Sequence, residues 1–208
     1  MNRRDVLKLA PLAALSACAS QAGKLPPSQT GWLVGSLGAK WNRSALVLGL
    51  GYAREGQAGQ GETLTWSNQG VLGVRSGVEL VPPEGSDDPL LGVQSQRLAP
   101  GRYVFKELIT RPWELRAKDG NNAQELSVPF EIQAGRITYF GELAAWLTTQ
   151  TPLFLGLAIP REAVLTLRDR SERDLTLLRR SGVALPEGAP VMVDWRAGTV
   201  PAVIIQLA

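Results

Sequence analysis

The spacing of turn signals constrains the fold of this chain more than any other feature of its sequence. Glycine- and proline-bearing joints at residues 56–61, 82–85, 99–101, 119–122 and 134–135 cut it into short runs that alternate or are rich in β-branched and aromatic residues. These runs are Trp32 to Leu37, Ala45 to Tyr52, Thr63 to Trp66, Gly77 to Val81, Tyr103 to Ile109, Leu126 to Ile132, Ile137 to Leu143, Leu153 to Ile159 and Val164 to Leu167. Short strands at this spacing, with no helical periodicity between them, predict an all-β domain of two antiparallel sheets. A parallel α/β domain needs a crossover helix between strands, and none is legible before residue 169. One helix is expected at 169–181: Ser171 can cap it, Leu175 and Leu178 share a face, Arg179 and Arg180 occupy the last turn, and Gly182 follows. The apolar run Val200 to Leu207 is expected to close the fold as a strand, which makes 31–208 a single domain.

Composition narrows the chemistry. The chain has no histidine and one cysteine, which excludes Ser-His-Asp triads, Cys-His dyads, the usual zinc sites and internal disulfides. No G-x-S-x-G or S-x-x-K occurs, and no calcium-loop spacing is present, so no metal and no cofactor is expected.

The first residues read as an address. Arg3 and Arg4 precede a largely apolar stretch from Val6 to Ala17 that includes Lys8 and is too short to span a bilayer, the pattern of a signal peptide over 1–17. Setting aside Arg3, Arg4, Lys8 and Asp5 leaves 19 basic and 18 acidic side chains in residues 18–208. A nearly neutral mature chain argues against nucleic acid as a partner.

Leu15-Ser16-Ala17-Cys18 resembles the bacterial lipobox, and the resemblance implies that Cys18 is the acylated first residue of the mature protein. The alternative is ordinary cleavage at an A-x-A pattern, with Cys18 a small buried residue. Asn2 to Lys8 resembles the twin-arginine export motif in Arg3, Arg4, Leu7 and Lys8, against an ordinary basic n-region for general secretion. Ala19 in place of Asp implies the outer membrane under the enteric sorting rule. Residues 18–30 then form the lipidated cysteine and its proline-bearing tether.

Leu98, Pro100, Gly101 and Tyr103, followed by Phe130, Ile132, Gly135, Thr138, Tyr139 and Gly141, resemble the transthyretin-like or carboxypeptidase-regulatory-like β-sandwich of proteobacterial envelope lipoproteins. Asp169, Arg173 and Asp174 are similar to a D-x-x-x-R-D segment of the same group. The resemblance covers under a quarter of the chain and implies a transthyretin- or immunoglobulin-like sandwich. Within it the Pro100-Gly101 pair predicts a type II turn with Gly101 at positive φ. Tyr103 and Phe105, like Ile137 and Tyr139, are expected to face one core.

Candidate sites are few. Glu84, Asp87 and Asp88 could supply an acid pair but read better as a solvated turn, and Asp119 to Asn122 reads as a hairpin turn. Of six tryptophans, Trp32 and Trp66 are expected in the core, whereas Trp113 and Trp195 stand in polar or proline-bearing contexts and are the candidate binding surface. Arg168, Arg170, Arg173, Arg179 and Arg180 read as a solvated face diluted by Asp169, Glu172 and Asp174, with contact to an anionic envelope component as the alternative. The functional expectation is a lipid-anchored, non-enzymatic binding, scaffold or assembly module at the outer membrane, facing the periplasm, with envelope proteins or glycans as partners. The alternative is a carboxylate-dependent hydrolase of envelope glycans, which needs two acidic side chains facing each other across a cleft.

Overall fold

The computed structural model describes residues 26, 29–40, 46–57, 61–67, 77–83, 86, 88–112, 122–152, 158–201 and 204–206. Two sheets pack face to face. The larger has seven strands: β1 (Gly31–Lys40) lies between β5 (Leu90–Leu98) and β8 (Ile137–Pro152). Outside β5 lies β4 (Val78–Leu80), and outside β8 lie β9 (Ala158–Arg168) and then β11 (Ile204–Gln206). β10 (Val191–Met192) also pairs with β8. The smaller sheet has the order β3 (Gly61–Ser67), β2 (Leu46–Arg54), β6 (Gly101–Pro112), β7 (Asn122–Ile132). The expected two-sheet sandwich with one helix is the observed architecture.

Pairing differs from the expectation in one respect. The small sheet is antiparallel throughout, but β1 runs parallel to β8, β10 to β8 and β11 to β9. Hairpin turns fix the direction of neighbours in sequence, whereas β1 and β8 are joined by no turn and are free to align in parallel. β5 was not among the expected strands, because Gln94, Ser95 and Gln96 interrupt its apolar alternation. Gln94 is buried, and its Nε2 donates to the Thr65 carbonyl of β3 across the sandwich at 2.8 Å. The two runs expected at 153–159 and 164–167 resolve into the single strand β9, with 153–157 outside the described residues.

The core lies between the sheets. Phe105 is at its centre, stacked on Phe130 with ring centroids 4.3 Å apart and on Trp195 at 5.5 Å. Such pairs contribute about 0.5–1.5 kcal/mol each beyond the area they bury. At the β5–β6 turn the Tyr103 hydroxyl donates to the Ala99 carbonyl at 2.9 Å, the arrangement of a tyrosine corner. Gly101 has φ 147°, positive as expected but wider than the value near +80° of a type II turn. It already begins β6, and a Cβ there would lie 2.9 Å from the Arg54 guanidinium.

The helix α1 (Ser171–Arg180) packs on the outer face of the larger sheet. Its apolar stripe, Leu175 and Leu178, is buried against Val34, Val93, Ile137 and Tyr139. Ile137 and Tyr139 therefore face a second, smaller core under the helix, whereas Tyr103 and Phe105 face the main one. Ser171 is not the cap: it is the first helical residue, and its amide donates to the Asp169 carboxylate at 2.9 Å.

Candidate functional site

A bulge in β8 prepares the site. In a regular strand, residues three apart point to opposite faces. Gly141, at φ 107°, inserts an extra residue where the β1–β8 register shifts between Val34 and Ser36. Tyr139 and Glu142 consequently point the same way, toward α1, and Leu143 returns to the main core. On β1, Ser36 follows Val34 on this same face.

Asp174 of α1 is fully buried among these groups. Its Oδ2 accepts from the Ser36 hydroxyl at 2.9 Å and from the Tyr139 hydroxyl at 2.7 Å. Its Oδ1 accepts from Arg173 Nε at 2.9 Å and Nη2 at 2.6 Å. Four donors fill the acceptor capacity of one carboxylate. Arg173 extends onward through Nη1 to Glu142 Oε2 at 2.8 Å. Burial alone would lower the Arg173 pKa, but the two carboxylates outweigh it and raise it above the ordinary value. Burial pushes the Tyr139 phenol far up, and the neighbouring Asp174 pushes it further, so Tyr139 remains a donor.

Beside this network a cleft of about 350 Å³ opens between the start of α1 and the segment that follows β4. Residues 80–83, Pro89 and Leu91 supply its apolar wall, and Glu142, Arg168, Arg170, Arg173 and Asp88 supply its polar groups. Val81, on that wall, is 68% exposed. A wider depression of about 750 Å³ lies across the small sheet near Glu62 and Glu107. There the Tyr52 hydroxyl donates to Glu62 at 2.7 Å, and burial followed by this contact raises the Tyr52 pKa. Among the described residues no group of three metal-ligating side chains comes together.

Sequence reasoning and structure diverge on Trp195. The expected binding residue is 4% exposed, stacked on Phe105, with its indole N–H donating to the Phe140 carbonyl at 2.7 Å. It is a core residue. The polar sequence around it misled because the 3-10 turn Trp195–Ala197 exposes Asp194 and Arg196 while turning the indole inward. Arg3, Arg4, Cys18 and Trp113 lie outside the described residues, as do Glu84, Asp87 and Asp119. Asp88 is exposed and accepts from the Ser86 hydroxyl at 2.9 Å. Trp66 is buried as expected, and Trp32 is half-buried beneath Arg97, whose guanidinium lies 5.9 Å from its ring.

The arginine run also departs from a uniformly solvated face, since Arg173 is half-buried and committed to two carboxylates, while Arg170, Arg179 and Arg180 are exposed. Ser36, Tyr139 and Glu142 were missed as site residues. The available signal was a polar residue inside an apolar run, Ser36 in Val34 to Leu37 and Glu142 in Phe140 to Leu143. Comparison of the chain with protein-family models, with curated proteins and with solved structures finds no match.

Proposed function

We propose that this protein is a lipid-anchored module of a Gram-negative cell envelope, held at the outer membrane through acylated Cys18 and acting by binding or scaffolding rather than by catalysis. The observation that carries the non-enzymatic part is the Arg173 bridge between Asp174 and Glu142. A carboxylate-dependent glycan hydrolase needs two acids facing each other across a cleft. Asp174 has all its acceptor sites filled, and Glu142 shares the same guanidinium, so the two acids are bridged by Arg173 instead of opposing each other across open space. The network serves to clamp α1 to the sheet and to hold the cleft walls in place.

The anchored location is supported by the lone cysteine at the end of the lipobox-like segment and by the short tether that follows it. The cleft takes the place of Trp195 as the contact surface, and Trp113 remains a second candidate. Envelope proteins or glycans are the proposed partners. Crosslinking in intact cells tests the reading: recovery of envelope proteins or peptidoglycan is expected. Recovery of neither, together with turnover of a glycan by the purified chain, would favour the hydrolase instead.

A further inference from the structure

The cleft contains a polar atom that the network leaves unused. The Glu142 side chain is 4% exposed and lines the cleft, yet its described polar contact is the one from Oε2 to Arg173. Oε1 has no donor among the described residues. A buried carboxylate oxygen without a donor is uncommon, because its desolvation goes uncompensated. At the same cleft, Arg168 and Arg170 have no side-chain partner among the described residues, while Asp88, the other described acid there, is held by Ser86. An acceptor on the floor, two guanidiniums beside it and an apolar wall ending in exposed Val81 are complementary to one kind of molecule.

We infer that the cleft binds a zwitterion carried on an apolar body, with a primary ammonium donating to Glu142 Oε1, an acidic group at Arg168 and Arg170, and apolar atoms against residues 80–83. The volume, about 350 Å³, lies within the range of small-ligand sites, roughly 300–1,000 Å³. Charge-assisted hydrogen bonds at both ends would select for the paired charges, and the proline wall would select for the apolar body. The inference rests on the binding-module reading only in treating the chain as a binder. It requires no particular cellular location.

The test is calorimetric titration of the full chain with dihexanoyl phosphatidylethanolamine, a short-chain zwitterion. Dihexanoyl phosphatidylcholine, whose quaternary ammonium has no N–H, and dihexanoyl phosphatidic acid, which has no ammonium, serve as comparisons. Saturable one-to-one binding at least tenfold tighter for the ethanolamine lipid is expected. Arg170→Gln, an exposed change outside the Asp174 network, is expected to weaken it at least tenfold, and Lys106→Gln on the other sheet less than twofold. Glu142→Gln is expected to erase the difference between the ethanolamine lipid and phosphatidic acid. Leucine, titrated in parallel, separates the sources: leucine binding without lipid binding assigns a free zwitterion, and the reverse assigns a headgroup. Absence of saturable binding by both, equal binding of the choline lipid, or an Arg170→Gln chain that binds as before would overturn the inference. Because purified chain is used, such a failure leaves capture of partners in cells as a separate question.

Discussion

Ser36 on β1 and Asp174 on α1 lie 138 residues apart in the chain and meet at 2.9 Å, joining the central strand of the larger sheet to the helix that covers it. The same carboxylate holds Tyr139 of β8 and its own neighbour Arg173. A single acidic side chain thus ties together three elements that no local turn connects.

Asp174→Asn should therefore destabilise the fold, by about 2–3 kcal/mol. Removing one partner of a buried ion pair costs about 3–5 kcal/mol, reduced here because the Arg173 side chain is 34% exposed. Tyr139→Phe, which leaves one acceptor unfilled, should cost about 1–3 kcal/mol. Urea unfolding of both variants checks the ranking, and an unchanged midpoint for Asp174→Asn would show that the clamp contributes nothing.

Alkaline pH provides a second handle. All three tyrosines of the chain, Tyr52, Tyr103 and Tyr139, have raised pKa values, with burial as the first cause in each. An unfolded tyrosine ionises near pH 10, so this contribution to stability is complete below about pH 10 and is lost as pH rises above it. Tyrosinate absorbance near 295 nm should appear cooperatively, together with loss of the folded circular dichroism signal. A gradual titration centred near 10 in folded protein would contradict the burial.

Gly141→Ala should cost about 1–3 kcal/mol, the usual penalty for a side chain in a strained backbone region. The new Cβ would also lie 2.5 Å from Leu167 Cδ1. Because the bulge turns Glu142 toward Arg173, the variant should lose part of the network as well. Thermal melts of Gly141→Ala, of Glu142→Gln and of the double variant measure this, and strictly additive losses would separate the bulge from the ion pair.

Trp195→Ala should cost about 3–5 kcal/mol through the cavity left against Phe105 and the loss of the bond to Phe140. Near-native stability on chemical denaturation would return Trp195 to the surface.

Most of the fold was legible because strand alternation and turn residues are local properties. Ile137, where the sequence pattern starts a strand, is the first residue of β8, and Leu175 with Leu178 form the buried helix stripe. What escaped was non-local. Gln94 obscured β5 because its partner, the Thr65 carbonyl, lies on the opposite sheet. The parity of Glu142 depended on a bulge that a glycine in an apolar run does not by itself announce. Asp174 and Arg173 stood out in the sequence as charges on a helix, but their burial depends on Ser36 and Tyr139, which local periodicity cannot bring together.

The claim of lipid anchoring is tested most directly by mass spectrometry of the mature N-terminal peptide from membranes of cells that make the protein. A peptide beginning at Cys18 and carrying the mass of attached acyl chains is the predicted result. Cys18 with an unmodified thiol, or a mature chain that begins elsewhere and partitions with the soluble fraction, would contradict it.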